Sequence, residues 1–369
     1  MLKDKIKVLC ILHRSPPMHG AAKVGDFIAS SEKLKEHFNC KFITIKSSDT
    51  VADIGSVSMK KIYYFVKLYS KVFFSLLTFK PDKIYFTASV QGVAFYRDLL
   101  VSSLWKMYKL CKPVDVYYHY HTKGIGRFAS KSNVNLKLSN FFIKGANLIL
   151  LSPLLKKDVE CISTYKSIFF LPNGIESEVE GSSLEKTAHK GCSNNITIKV
   201  LYLAHMMKDK GYWDVLTLAN ECANMNVHFN FAGSWTSDED EVEFFNYIKE
   251  NSLESVVSYH GFVSGAEKAL LFKNSHLLIY PSKNDAFPLT LLEALSYGLP
   301  VIATDEGSIP YILDEKSGVI INNTNKLLEA LDEAKNNLLN KETAMYCRQR
   351  YLDHFSLEQF EVNLVKVLK

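Results

Sequence analysis

Two carboxylates eight positions apart, Asp285 and Glu293, stand in the segment YPSKNDAFPLTLLEALSYGLPVIAT, residues 280–304. Such a pair can accept the hydroxyls of a ribose or a sugar, but acids also sit before a helix or on its face simply to suit the helix end and solvent. Lys210 follows an apolar run in LAHMMKDKG. An ammonium at a helix start can hold a diphosphate and stabilise its leaving charge, although a solvated turn lysine is equally ordinary. Gly20–Ala21 close the turn PPMHGAA after the first apolar run. There the backbone N–H groups of a helix start can approach phosphate, or the glycine can serve only a tight turn. His119 and His121 alternate in YYHYHT, which puts both on one face of a strand. Asp238-Glu239-Asp240 is literally a D-x-D metal pattern, yet within TSDEDEVE it reads as an acidic helix start.

The elements that would position these residues are short apolar runs alternating with helical stretches. The first half gives Lys7–Leu12, Phe42–Ile45, Ile84–Phe86, Val116–His119, Leu148–Leu151 and Ile168–Leu171 as strands. Helices are expected over Ala21–His37, Ser58–Phe79, Gln91–Leu110 and Asn133–Ile143. The second half restarts with Ile198–Leu203, Val227–Phe231, Val256–Tyr259, Leu277–Tyr280, Val301–Ala303 and Val319–Ile321. Continuous apolar strands separated by helices imply α/β architecture with parallel sheets covered on both faces. Pro288 opens a helix bearing Glu293 and Gly298 stops it. The polar stretch 177–195 is the natural linker, which divides the chain into 1–176 and 196–354 and leaves 355–369 as a closing helix. Ligands of such sheets bind beyond the carboxyl ends of the strands, where Lys210, Asp285 and His121 fall.

At 369 residues the chain has room for two or three domains, and its seven cysteines are scattered without a CxxC pair. That favours a reducing, cytoplasmic setting over a disulfide framework or a zinc site. The opening apolar run is too short for a secretion signal, and no stretch approaches the ~20 apolar residues that span a bilayer. The net charge of +5 hides an asymmetry: residues 1–175 hold 27 basic against 11 acidic side chains, and the remainder balances at −11. The basic half suits an anionic membrane surface or a phosphate-bearing acceptor. Within it, MKKIYYFVKLYSKVFFSLLTFK interleaves lysines with aromatic residues. Such a helix can lie in a membrane interface, or merely cover a sheet with its lysines in water. Nucleic acid is disfavoured, because the lysines accompany no recognition motif. The missing GxGxxG disfavours a nicotinamide dehydrogenase.

The stretch from Asp285 to Pro310 resembles the E-x7-E region of family 4 retaining glycosyltransferases of the GT-B fold, usually close to EGFPLxLLEAMAxGLPVIATxxGGIPE. Pro16–Gly20 looks like that family's PPxxGG loop, and His119–Thr122 like its HxHG turn. Pro172–Ile175 is similar to its PNG element, Lys210–Gly211 to the end of GRLxxxKG, and His260–Val263 to HGxV. Three positions depart: Asp285 replaces the first glutamate, His205 the arginine, and Ala21 a glycine. The resemblance implies two Rossmann-like domains whose parallel sheets face across a cleft, with the C-terminal helix crossing back to the first. It implies transfer of a hexose-type sugar from UDP or GDP to a glycan acceptor, lipid-linked as in surface-polysaccharide, capsule or O-antigen assembly. No metal cofactor is expected, the leaving diphosphate assists deprotonation, and the enzyme sits in the cytoplasm or on the inner membrane face. By the same resemblance Glu293 holds the ribose. Lys210 and Gly211, His205, Gly20–Ala21 and the Gly307–Ser308 turn serve the diphosphate. Asp285, Ala286 and Phe287 line the donor sugar, and Pro288 and Leu289 belong with them to the donor-binding set. His121, at the strand end, is favoured over His119 near the reacting centre. A GT-B-fold sugar-nucleotide epimerase and an inactive sugar-nucleotide-binding subunit are the other readings.

Overall fold

A computed structural model describes residues 5–16, 20–46, 59–177 and 196–369. By internal packing the chain divides into two units, Met1–Gly174 with Leu357–Lys369, and Ile175–Ser356. The linker expected at 177–195 lies, beyond Ser177, outside the described residues. Ile175, expected with the first domain, groups with the second. Its N–H donates to the Phe355 carbonyl at 3.0 Å, and the Tyr351 hydroxyl donates to its own carbonyl at 2.7 Å.

The first unit is built on β1 (Lys7–His13), β2 (Asn39–Ile45), β3 (Lys83–Thr87), β4 (Asp115–His119), β5 (Asn147–Leu150) and β6 (Ser167–Phe170). These strands are all parallel, in the order β2-β1-β3-β4-β5-β6. Side chains alternate across the pleat, so Val8, Cys10 and Leu12 share one face of β1 with Tyr85 of β3 and Tyr117 of β4. Phe86 and Tyr118 point to the other face and pack on Trp105 and Phe142. Where one long helix was expected over Ala21–His37, there are two, α1 (Gly20–Ser30) and α2 (Glu32–His37). Ser31 ends the first and caps the second by accepting the Leu34 N–H, the use for which a helix N-cap selects serine.

α3 (Met59–Thr78) and α4 (Gly92–Tyr108) follow, with α5 (Ile125–Ser130) and α6 (Asn133–Ile143) after β4. α5 had no periodic signal in the sequence, being six residues long with a glycine in its first turn. α3 buries only Leu68, Val72, Ser75 and Leu76, and leaves Tyr63, Val66, Phe74 and Leu77 in solvent. No helix among the described residues is long and apolar enough to cross a membrane.

The second unit carries β7 (Ile198–Leu203), β8 (Val227–Ala232), β9 (Val257–Tyr259), β10 (Leu277–Tyr280), β11 (Val301–Thr304) and β12 (Gly318–Ile321). They too are parallel, in the order β12-β11-β10-β7-β8-β9. Its helices are α7 (Tyr212–Glu221), α8 (Asp238–Glu250), α9 (Gly265–Asn274), α10 (Leu289–Ser296), α11 (Ile309–Ile312), α12 (Leu327–Asn337) and α13 (Lys341–His354). The chain runs outward from β7 to β9, then returns to place β10 on the opposite side of β7. The strand order therefore reverses between β7 and β10, the switch point beyond which ligands of such sheets bind.

The closing helix α14 (Leu357–Leu368) belongs to the first unit, where Phe360, Leu364, Val365 and Leu368 join the face formed by Val8, Val24 and Leu34. Leu364 is buried there, so Leu364→Ala is expected to cost about 2–5 kcal/mol. Urea unfolding followed through the first unit's aromatic residues measures this as a lower midpoint.

Candidate functional site

The two loops at the β7/β10 switch point are tied together by charge. Lys210 follows a short turn after β7, and its Nζ lies 2.6 Å from Asp285 Oδ2 in the loop after β10. The same ammonium donates to the Asn284 carbonyl at 2.9 Å. The Tyr280 hydroxyl donates to Asp285 Oδ2 at 2.7 Å, and the Asp285 N–H donates to Glu306 Oε1 at 3.1 Å. Both partners of the ion pair are mostly enclosed, with side chains 21% and 17% exposed. An ion pair so placed is less screened than one on an open surface.

Glycines let the loops approach this closely. Gly211 has φ 82°, and a Cβ there would come within 2.4 Å of the Pro281 carbonyl oxygen. Gly307 has φ 56°, and its Cβ would meet the Asp285 carbonyl oxygen at 2.2 Å. Only glycine adopts this backbone without strain.

Glu293 projects from α10, and its Oε1 pairs with Lys268 of α9 at 2.9 Å. Ala286, Phe287 and Pro288 are buried, and the Phe287 ring packs against Phe355 at 6.1 Å. All three stand between Asp285 and α10, in the loop expected to line the donor. Leu289, at the start of α10, is half-buried. The Ser308 N–H is already donated to the Ala286 carbonyl at 2.9 Å, and α11 is a single turn. The Gly307–Ser308 turn thus braces the loop that carries Asp285. His205 follows β7, and desolvation, helped by the Lys210 charge, lowers its imidazole below the ordinary value. Asp240 of the D-x-D run meets Lys208 at 3.2 Å, while Ser237 caps α8.

In the first unit His119 ends β4 and is fully buried. Its Nδ1 shares a hydrogen bond with the Tyr85 hydroxyl, and its Nε2 has no hydrogen-bond partner among the described residues. Burial, and secondarily His121, hold it well below the usual histidine range. His121 is half-buried beyond the strand, its ring centroid 4.0 Å from that of His119. Gly20 and Ala21 open α1, while Pro17, Met18 and His19 of the same turn lie outside the described residues. Lys268, Tyr280 and Glu306 were not singled out in the sequence. Tyr280 ends an apolar strand and Glu306 sits in the turn ATDEGS, so position against a loop, rather than any motif, would have revealed them.

Residues 187–351 match the family described as Glycosyl transferases group 1, a span that falls within the second unit. An uncharacterized 41.2 kDa protein in the cps region of Klebsiella pneumoniae is 28% identical over 187 residues, 49% of each chain. The alpha-galactosylglucosyldiacylglycerol synthase of Streptococcus pneumoniae is 24% identical over 193 residues, 51% of each. The chain thus spans about half the length of these curated relatives. Anabaena HepE in complex with UDP-glucose superposes with a TM-score of 0.68 at 15% identity, covering 98% of this chain and 99% of that one. The fold is that of the GT-B glycosyltransferases.

The buried imidazole of His119 makes stability depend on pH. Its folded value lies below the unfolded 6.5, so only the unfolded chain takes up this proton as pH falls. Stability is expected to drop below about pH 6.5, with His119 supplying up to about 1.4 kcal/mol per pH unit. Chemical denaturation between pH 7 and 5 should give a shallower slope for His119→Asn, and an unchanged slope would locate the effect elsewhere.

Proposed function

We propose that this chain is a glycosyltransferase that takes a hexose-type sugar from a nucleoside diphosphate and transfers it, with retention at the anomeric carbon, to a glycan acceptor of surface-polysaccharide or glycolipid assembly. The observation that carries the reading is the pairing of Lys210 with Asp285 across the β7/β10 switch point, in the span that matches the glycosyl transferases group 1 family. A fixed ammonium at that switch point suits a diphosphate leaving group, whose charge develops as the anomeric bond breaks. Glu293, enclosed and oriented by Lys268, suits the ribose hydroxyls. His205 replaces a forked guanidinium with an imidazole held below its ordinary value, which leaves Lys210 as the principal charge on the phosphates. On this reading no metal is needed, the leaving diphosphate accepts the proton of the acceptor hydroxyl, and Gly20–Ala21 and His121 serve the diphosphate and the sugar. The UDP-glucose complex of Anabaena HepE supports a UDP-sugar as donor, and the Klebsiella relative's cps region supports a capsule-type product.

The acceptor is proposed to be lipid-linked and met at an anionic membrane surface. α3 presents Tyr63, Val66, Phe74 and Leu77 to solvent beside Lys67 and Lys71, and Leu100 and Met107 of α4 are also exposed. Aromatic and aliphatic side chains interleaved with lysines suit the boundary of headgroups and acyl chains.

Two measurements test these proposals. Titration calorimetry with UDP and GDP in EDTA should show one nucleotide bound, with affinity reduced at least about tenfold in Glu293→Ala, the loss of a charged hydrogen bond. Binding that requires a divalent ion, or that ignores Glu293, contradicts the donor assignment. Cosedimentation with phosphatidylglycerol vesicles should be strong at low salt, weaken as salt rises and weaken in Phe74→Glu. A chain that stays in the supernatant at low salt contradicts the membrane assignment.

A further inference from the structure

Tyr280 is the last residue of β10 and is buried. Its hydroxyl reaches Asp285 Oδ2 at 2.7 Å, the oxygen that also receives Lys210 Nζ at 2.6 Å. The Asn284 carbonyl takes a second N–H of the same ammonium at 2.9 Å. A lysine has three N–H donors, so among the described residues two are committed to the protein and one is left for a ligand. Burial, and then the adjacent carboxylate, raise the Tyr280 phenol well above its ordinary value, which keeps it a donor throughout the neutral range.

Two roles for Asp285 compete. As a sugar ligand it would need its acceptor capacity directed outward. Instead one oxygen accepts two short hydrogen bonds from its own chain, and the side chain is one methylene shorter than the glutamate of the motif it resembles. The short side chain keeps the carboxylate back against the strand end where Tyr280 stands.

We infer that Tyr280 is a positioning residue of the donor site: through Asp285 it fixes the Lys210 ammonium in the orientation that meets a diphosphate. This deepens the nucleotide-sugar reading and rests on it. The hydroxyl is separable from the loop's own scaffold. The Asp285 amide is held by Glu306, and the loop's approach to Gly307 is set by backbone. Tyr280→Phe therefore removes one donor and leaves a ring of nearly the same volume in place.

The test is a double-mutant cycle read by calorimetry, with displacement for weak ligands. UDP, GDP, uridine and guanosine are titrated into the wild type, Tyr280→Phe, Lys210→Met and the double variant, with Asp285→Asn as a second way to break the link. In Tyr280→Phe, diphosphate affinity should fall about tenfold, as expected for one hydrogen bond to a charged group, while affinity for the parent nucleoside holds. Asp285→Asn should show the same selective loss, and Tyr280→Phe should add nothing in the Lys210→Met background. Equal losses for nucleoside and diphosphate, no loss at all, or a loss that persists undiminished without Lys210 would overturn the inference while leaving the donor reading standing. A wild type that binds neither diphosphate overturns both, and that arm is read before any variant is made.

Discussion

The ammonium of Lys210 against the carboxylate of Asp285 joins the two loops that leave the second sheet where its strand order reverses. Much of the local structure serves that contact. The Lys283 N–H donates to the Asp209 carbonyl at 2.8 Å, so the loops are also cross-tied through backbone. Gly211 and Gly307 let one chain lie against another where a Cβ could not fit. Arg348 donates to the Ser296 carbonyl at 2.8 Å and braces the C-terminal end of the helix that carries Glu293. A site built this way is organised before any ligand arrives, and preorganisation is what makes an electrostatic contact effective in a transition state.

The architecture was legible because parallel strands buried on both faces are written as unbroken apolar runs. Ile198–Leu203, Leu277–Tyr280 and Asn133–Ile143 were placed to the residue. The break at Ser31 was not, because the apolar pattern carries across it and only the capping hydroxyl ends the helix. α5 was missed because its N-terminal amides are satisfied from a distance by Asp158, which takes the Gly124 N–H at 2.7 Å. No local pattern can announce a partner more than thirty positions away.

The same division holds at the site. Asp285 and Glu293 could be named because they sit in a long ordered motif, and Lys210 because it ends a second, shorter one. Their partners could not, since Lys268, Tyr280 and Glu306 reach them only through the fold. Ala286, Phe287 and Pro288 lie in the motif and are buried, which the sequence states only as apolarity. Charge, by contrast, was plain from composition: the basic first half carries the exposed aromatic face of α3, and the acidic second half carries the helix-start run of α8.

The most direct measurement of the central claim is amide hydrogen exchange with and without saturating UDP and GDP. If the switch-point loops take the nucleoside diphosphate, exchange slows in 204–211, 280–293 and 304–308 and elsewhere in the second unit changes little. Unchanged exchange in those three segments, or protection confined to other elements, would contradict the account.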